Sequence, residues 1–235
     1  GDETSWPAIN GYTITNNADD DITGMALFQN YLVVLCAKSF YHIHATNEID
    51  VTITFASYEE GCTSNRSIVA TPYGLFWWSR NGPVKSNGQN VDYIGYRKIP
   101  NTISDLNYAQ YSLVHGIWNK VQERIEWSVF NATSTTVDRR IYYYPKTDAF
   151  YIGNGVGVQM SSSGVIVRSG VPKVYVTSDT TSGYFYEQTG NTDDGTVISA
   201  YIETKRQSPA GVNGISYAKR FTTLFYLLSG ATSVT

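Results

Sequence analysis

Two of the three histidines lie two positions apart in the segment FYHIH, which makes them candidates for metal chemistry. Successive side chains of a β-strand point to opposite faces, so His42 and His44 would share one face. A zinc site needs further ligands, and no acidic residue or third His lies at a suggestive spacing. We therefore predict no metal site at this pair, and we expect His115, alone in LVHGIW, to be structural.

Acidic residues cluster at Asp19–Asp21 and at Asp193–Asp194, each time directly before a strand pattern. Oxygen ligands grouped in this way bind calcium in some loops. The spacing of an EF-hand is absent, however, and an Asp at the beginning of a strand usually builds a turn. We expect turns rather than cation sites at both positions.

Glycoside hydrolysis would require two carboxyl groups on opposite sides of a cleft. The available candidates are Glu59, Glu60, Glu123, Glu126 and Glu187, but nothing in the sequence pairs them. The repeated Ser-x-Asp-x-Gly-x-Thr turns of sialidase-type propellers do not occur, nor does a G-x-S-x-G motif or a P-loop. The sequence thus predicts no catalytic residue, no cofactor and no enzymatic activity.

The composition is that of a β-rich protein without a basic surface. Of 235 residues, 42% are hydrophobic, 16% are charged and 14% are aromatic, and 19 are Tyr. Tyr and Trp favour pleated, half-buried surfaces. The net charge is −3 and no basic run occurs, so specific binding of nucleic acid through Lys and Arg clusters is not expected. The longest apolar stretch, Tyr31–Ala37, is too short to span a membrane, and no signal peptide is predicted.

The two cysteines, Cys36 and Cys62, indicate little about function. Cys36 lies in the apolar run LVVLCA and is expected to be a buried small residue. Cys62 follows Gly61 near a predicted turn. A disulfide between them requires that the two segments pair.

Short strand patterns separated by turns extend over most of the chain. The predicted strands lie in five blocks: three within Ile22–Ala45 and one at Val51–Ser57; Ser67–Thr71, Gly74–Ser79, Pro83–Lys85 and Asn90–Tyr96; Leu113–Trp118, Arg124–Phe130, Arg140–Tyr144 and Phe150–Gly153; Gly157–Met160, Gly164–Arg168, Lys173–Thr177 and Gly183–Glu187; Thr196–Thr204 and Arg220–Leu228. Asn81-Gly82 predicts a tight type I′ hairpin, and a short helix is predicted around Ser104–Gln110.

Blocks of roughly 40 residues with three or four antiparallel strands each have the period of β-propeller blades. We therefore predict an all-β fold, a β-propeller-like array of about five antiparallel blades in one domain over residues 1–235. A large β-sandwich is the alternative, although it would not require so regular a spacing. Whether the array is complete or the C-terminal part of a longer propeller stays open.

Two tryptophans stand side by side in GLFWWSRNGPVKSNG, and three tyrosines follow one another at Tyr142–Tyr144. Neighbouring side chains on a strand point to opposite faces, so Trp77 and Trp78 cannot form one flat stacking platform. We expect one indole to pack between sheets and the other to face solvent or a neighbouring subunit.

Four stretches, in order, resemble one family. They are GDETSWP followed by ADDDITGMALFQNYLVVLCAKSFYHI; GCTSNRSIVATPYGLFWWSRNGPVKSNG; VHGIWNKVQERIEWSVFNA followed by RIYYYPKTDAFYIG; and DDGTVISAYIETKRQSPAGVNGISYAKRFTTLFYLLSG. Together they resemble the β-propeller tail proteins of short-tailed double-stranded DNA phages, the tail nozzle and packaged-DNA stabilisation proteins. The order of the motifs, over about residues 1–230, is the specific part of the resemblance.

The resemblance implies a structural virion protein in the phage tail, a nozzle or connector component that forms part of the DNA ejection channel. The implied partners are other tail or connector proteins and further copies of the chain in a ring. DNA would pass without specific binding, because a weakly acidic wall does not hold phosphates. The alternative is a carbohydrate-binding or glycan-cleaving β-propeller for receptor recognition, with Glu126 and Glu187 as the carboxylates to test.

Overall fold

The computed structural model of the chain describes residues 13–14, 19–45, 51–57, 60–88, 90–154, 160–178, 183–189, 192–193 and 196–197. The chain forms two compact units, Gly1–Gln188 and Thr189–Thr235. The described strands form antiparallel sheets, which confirms the predicted all-β class. A single domain over residues 1–235 stays a prediction.

Sheet 1 is a four-stranded meander made by the first block of strand patterns, as predicted. Its strands are β1 (Ile22–Phe28), β2 (Tyr31–Cys36), β3 (Phe40–Ala45) and β4 (Val51–Ser57). Gln29 and Asn30 form the turn between β1 and β2, and Gln29 has a left-handed φ of 54°. This turn is one of three that line a cleft.

Sheet 2 repeats the meander with β5 (Val69–Thr71), β6 (Gly74–Ser79), β7 (Gly82–Ser86) and β8 (Val91–Asp92). The predicted hairpin at Asn81-Gly82 is confirmed, but the predicted type I′ turn is wrong. Of the turn residues, Gly82 alone has a positive φ, 95°, and it already begins β7. The Ser79 hydroxyl accepts from the Asn81 N–H at 3.0 Å and donates to the Gly82 carbonyl at 2.9 Å, so this side chain closes the turn.

The segment after β8 is helical, which corrects two predictions. The predicted strand Asn90–Tyr96 ends at Asp92, because α1 (Ile94–Lys98) begins there and turns Ile94 into the core. The helix predicted around Ser104–Gln110 is also wrong: α2 (Pro100–Ser104) ends where it was expected to begin. A 3-10 helix, Tyr108–Leu113, follows, and the Asn107 side chain caps it by accepting from the Ala109 N–H.

Sheets 3 and 4 continue the pattern. Sheet 3 contains β9 (His115–Asn119), β10 (Arg124–Val129), β11 (Arg139–Tyr144) and β12 (Ala149–Asn154), and sheet 4 contains β13 (Met160–Arg168), β14 (Val171–Ser178) and β15 (Phe185–Glu187). The strand predicted at Gly164–Arg168 is confirmed as part of β13, but the predicted break before it is wrong, because β13 runs without interruption from Met160 and its residues pair with β14 on both sides of Gly164. Residues 157–159 lie outside the described residues.

The second unit is described only in part. It contains an antiparallel pair, β16 (Thr192–Asp193) and β17 (Thr196–Val197). The rest of the strand predicted at Thr196–Thr204 and the strand predicted at Arg220–Leu228 lie outside the described residues.

The first strands of sheets 1 to 4 contact one another in chain order. β1 contacts β5, β5 contacts β9, and β9 contacts β13. Two buried apolar clusters fill the spaces between consecutive sheets. One joins sheets 1 and 2 through Val33, Leu35, Phe40, Leu75, Trp77 and Val84; the other joins sheets 2 and 3 through Phe76, Trp78, Ile125, Trp127, Ile141 and Tyr143. Sheet 2 is therefore covered on both faces.

A backbone hydrogen bond recurs where the chain leads into each of the first three sheets. It joins the leading segment to the end of that sheet's second strand or to the residue just after it. The three bonds are Ala37 N–H to Asp21 O at 2.9 Å, Thr63 N–H to Trp78 O at 2.9 Å and Asn107 N–H to Phe130 O at 2.8 Å. The leading segment accepts this bond in sheet 1 and donates it in sheets 2 and 3, so the three sheets share the place of the contact but not its direction.

Candidate functional site

The two neighbouring tryptophans of β6 are both core residues. Trp77 and Trp78 each have 0% exposure and lie on opposite faces of sheet 2. The ring of Trp77 lies 5.5 Å from that of Phe40, and the ring of Trp78 lies 5.9 Å from that of Trp127. The predicted separation of the two indoles is confirmed. The expected exposure of one of them is wrong, because sheets on both sides cover sheet 2.

The tyrosine run of β11 is divided in the same way. Tyr143 is buried against Phe76, with ring centroids 5.7 Å apart. Tyr142 and Tyr144 lie on the other face, beside the guanidinium of Arg124. This run is therefore part of the sheet packing and not a stacking platform.

Two of the predicted carboxylates are buried in hydrogen-bond networks. Glu60 accepts from the Asn81 side-chain amide at 3.0 Å. Glu126 accepts from Arg124 Nε at 2.8 Å and from the Asn119 amide at 2.8 Å. Both carboxylates are held by neighbouring side chains and neither is exposed to a cleft. Glu59 lies outside the described residues.

The remaining acidic candidates also have structural partners. Glu187 accepts from Lys173 Nζ at 2.5 Å and from the Tyr175 hydroxyl at 3.1 Å, and the Lys173 hydrogen bond holds its pKa below the usual value. Asp20 is buried and accepts from the Lys38 N–H at 2.6 Å and from the Ser39 hydroxyl. Asp20 therefore holds the turn between β2 and β3 rather than a turn of its own segment, which corrects the expected local turn. Of the second acidic cluster, Asp193 lies in β16, and Asp194 is outside the described residues.

The histidines form no metal centre with other ligands in the described residues. His42 and His44 share the face of β3 on which both rings contact Tyr31, with centroids 5.5 and 5.6 Å away. Burial lowers the pKa of His42. Within the described ranges no three His, Cys, Asp or Glu side chains group to hold a metal ion. His115 is buried, and burial followed by the nearby Arg66 charge lowers its pKa to about 4.

Cys36 and Cys62 lie on paired segments, since the Cys62 N–H donates to the Cys36 carbonyl at 2.8 Å. Both thiols are free and buried. Burial raises the pKa of Cys36, and it raises that of Cys62 to about 11. Neither thiol has the lowered pKa of a nucleophile.

A cleft that the sequence did not predict lies where three turns meet. These turns join the first and second strands of sheets 1, 2 and 3, and the cleft has a volume of about 880 Å³. We call it the three-turn cleft. It is lined by Leu27, Phe28, Gln29, Ala70, Thr71, Pro72, Tyr73, Trp118, Lys120 and Glu123.

Two aromatic rings form a wall of the three-turn cleft. Tyr73 and Trp118 are half-buried, and their ring centroids are 6.0 Å apart at an interplanar angle of 64°. Both pack against the cluster between sheets 2 and 3, which fixes one side of each ring. The Thr71 hydroxyl accepts from the Tyr73 N–H at 3.0 Å and holds its turn. The rings are therefore positioned before any ligand arrives.

Polar side chains surround this aromatic wall. Within the described part of the chain, Gln29 makes no side-chain hydrogen bond and Lys120 makes no ion pair. Glu123 is exposed, and its nearest cation is Lys146, with the two charged atoms 3.9 Å apart. Gln29 and Glu123 have left-handed φ values of 54° and 48°, a conformation in which glycine is usual. Both positions therefore carry a polar side chain although glycine would adopt the same backbone conformation with less strain.

The sequence analysis missed the three-turn cleft because its parts are far apart along the chain. Each turn lies between strands that were predicted separately: one falls within Ile22–Ala45, one between Ser67–Thr71 and Gly74–Ser79, and one between Leu113–Trp118 and Arg124–Phe130. Only the stacking of consecutive sheets brings them together. One feature of the sequence could have indicated the cleft: each of the three turns is the first turn of its block of strand patterns, so stacked blocks would bring them to the same edge.

No protein-family model matches this chain, and no curated protein matches it significantly. In the described ranges, no helix combines the length and apolarity needed to cross a bilayer.

Proposed function

We propose that this chain is a structural β-propeller-type protein of a phage tail, a nozzle or connector component that lines part of a DNA ejection channel. Two features support the proposal: the order of the sequence motifs that resemble the phage tail proteins, and the stacking of the sheets in the same order along the chain. It assigns the chain no catalytic role and no cofactor. Its partners are further copies of the chain and other tail proteins.

The observation that carries the proposal is the burial of sheet 2 on both faces. Trp77 packs toward sheet 1 and Trp78 toward sheet 3, while the first strands of consecutive sheets touch in chain order. Sheets that pack face to face around a line of first strands have the arrangement of propeller blades. A propeller continues such an arrangement over further sheets until its blades form a ring.

The outer face of sheet 1 supports assembly with a second copy of the chain. The register of β1 to β4 places Met25, Leu27, Leu32, Val34, Tyr41, Ile43, Ile53 and Phe55 on the face opposite Trp77. The exposed part of this face is at Met25 (61% exposed), Leu27 (72%) and Phe55 (42%), whereas Val34 and Tyr41 are buried. No charged residue lies on this face of the described strands. Apolar surface of this kind on a sheet marks a protein contact.

The net charge supports passage of DNA rather than its capture. The chain carries −3, and Arg124 in sheet 3 is held by Glu126 at 2.8 Å and by the Tyr144 hydroxyl at 2.9 Å. Affinity for DNA depends on cations that neutralise phosphates. A weakly acidic wall leaves a polyanion free to slide.

Light scattering over a range of concentrations, with electron microscopy of the same sample, tests the assembly role. We expect a mass above that of one 26.1 kDa chain and closed particles in the images. Met25→Lys should shift the protein toward the monomer, because it puts a charge on the apolar face. Thr52→Lys, an exposed position on the opposite face of the same sheet, is the matched control and should assemble normally. A protein that stays monomeric and never joins a ring or a virion contradicts the proposal.

The second function that the sequence suggests is carbohydrate recognition. One observation favours it: the three-turn cleft has an aromatic wall and polar lining residues. Cleavage is not favoured, because Glu126 and Glu187 are engaged by Arg124 and Lys173.

A further inference from the structure

The three-turn cleft combines the three features of a small-molecule site. It is concave, it has a rigid aromatic wall, and it presents polar groups with unused hydrogen-bonding capacity. Ligand sites in proteins are mostly apolar clefts with a few placed polar groups that fix the orientation of the ligand. The cleft is broad and open to solvent, and its volume of about 880 Å³ leaves room for a molecule larger than one sugar ring.

We propose that the three-turn cleft binds a neutral saccharide of a surface glycan, with a sugar ring against Trp118 and Tyr73 and its hydroxyls bonded to Gln29, Lys120 and Glu123.

The chemistry of the lining selects a saccharide over other ligands. A sugar ring has apolar C–H faces that pack on aromatic rings and a rim of hydroxyls that both donate and accept. The lining offers the complementary groups: an amide that does both, an ammonium that donates and a carboxylate that accepts. The residues that line the cleft carry one cation, Lys120, and one anion, Glu123, so a phosphate-rich ligand would gain little net attraction from them.

The turn that follows Trp118 is held in place by hydrogen bonds of its own. Trp118 lies on β9 beside Asn119, whose side-chain oxygen accepts from the Val121 and Gln122 N–H groups, both at 3.1 Å. That cap holds the turn carrying Lys120 and Glu123. A site whose side chains are already ordered loses less entropy when a ligand binds.

Binding without hydrolysis follows from the same lining. Glu123 is the one carboxylate among the residues that line the cleft in the described part of the chain. Hydrolysis by the usual routes needs two carboxyl groups across the scissile bond. The cleft therefore retains a glycan and leaves it intact.

Saturation-transfer NMR with the full chain tests the proposal. The probes are glucose, galactose, mannose, rhamnose and N-acetylglucosamine at millimolar concentration, and the hexasaccharides of glucose and N-acetylglucosamine. We expect saturation transfer to the ring protons of at least one probe. The dissociation constant of the hexasaccharide that binds should rise at least tenfold in Trp118→Ala. No transfer to any probe, or transfer unchanged in Trp118→Ala, overturns the proposal.

Gln29→Gly separates binding from folding, since Trp118 also packs on the core. Glycine suits the left-handed φ of position 29, so this variant should melt at the same temperature as the parent or higher. It should still weaken binding at least threefold, because the amide is gone. Tyr96→Ala, which removes an exposed aromatic ring of α1 outside the cleft, should bind like the parent. Binding unchanged in Gln29→Gly contradicts the assigned contact, and none of these outcomes depends on the oligomeric state.

Discussion

Trp77 and Trp78 are adjacent on β6, and their indole rings are fully buried in two different cores. The Trp77 Nε1–H donates to the Gly61 carbonyl at 3.1 Å, while Trp78 packs edge-on against Trp127 and Tyr111. One short strand therefore joins three sheets, because each of its faces belongs to a separate sheet interface.

Alanine at either tryptophan should destabilise the fold to a similar degree. Removal of a buried indole costs about 3–5 kcal/mol, which is a large part of the free energy of unfolding of a typical domain. Urea denaturation followed by circular dichroism measures this for Trp77→Ala and Trp78→Ala. Tyr96→Ala, at a 62% exposed ring, should cost less than about 0.5 kcal/mol. A tryptophan variant as stable as Tyr96→Ala would contradict the two-core arrangement.

The sequence predicted most strands of sheets 1 to 3, because alternating β-branched and aromatic residues between turn residues specify strands locally. It did not predict that both tryptophans are buried. Alternation assigns Trp77 and Trp78 to opposite faces, but only the arrival of sheet 3 covers the second face.

The helix α1 and the three-turn cleft were missed for two physical reasons. The segment Ile94–Lys98 is too short for its helical period to be distinguished from a strand, and the burial of Ile94 in the core is compatible with either element. Gln29, Tyr73 and Trp118 form one site only through contacts between sheets, which no local pattern contains.

Gly61 should tolerate no side chain, although its neighbourhood looks like an ordinary turn in the sequence. A Cβ at position 61 would lie 2.1 Å from the backbone carbonyl of Ala37, so the backbone would have to move. We expect Gly61→Ala to cost at least about 2 kcal/mol, as overpacking of a core does. Gly164→Ala is the matched control, because a Cβ there meets nothing within 4 Å. Thermal unfolding of the two variants checks this, and equal melting temperatures would contradict the close approach.

The buried thiols should react only when the protein unfolds. Burial raises the pKa of Cys62 to about 11, so at pH 8 its thiol stays protonated, and the thiolate is the reactive form. Cys36 is buried and its pKa is raised as well. We expect Ellman's reagent at pH 8 to titrate no thiol in the folded protein and two in guanidinium chloride. Cys36→Ala and Cys62→Ser assign the two signals, and rapid reaction of a folded single-cysteine variant would contradict its burial.

Glu126 should contribute to stability and not to catalysis. Its carboxylate, with a side chain 4% exposed, bonds Arg124 at 2.8 Å. Glu126→Gln leaves the Arg124 guanidinium without that carboxylate, and breaking a buried ion pair costs about 3 kcal/mol. Glu123→Gln is the control, because its ion pair with Lys146 is exposed and should be worth less than about 1 kcal/mol. Chemical denaturation compares the two, and similar stabilities would show that the Glu126 network adds nothing.

His115 should make the protein less stable in acid. Its pKa is lowered from 6.5 to about 4, first by burial and then by the charge of Arg66, with Arg140 adding to the effect. Between these two pH values the unfolded chain binds a proton at this residue and the folded chain does not. The contribution is therefore fully present above about pH 6.5, falls as the pH drops and is lost by about pH 4, a change of roughly 3 kcal/mol.

The free energy of unfolding of His115→Gln, measured from pH 4 to pH 7 beside that of the parent, isolates this effect. Carboxylates titrate in the same range in both proteins, so the difference between the two curves reports His115. We expect the parent to lose stability relative to His115→Gln as the pH falls, because only the parent has an imidazole that must stay neutral in the fold. Parallel curves would mean that His115 takes up its proton equally well in the folded and unfolded chains, and that its burial between β9 and its neighbours does not exclude charge.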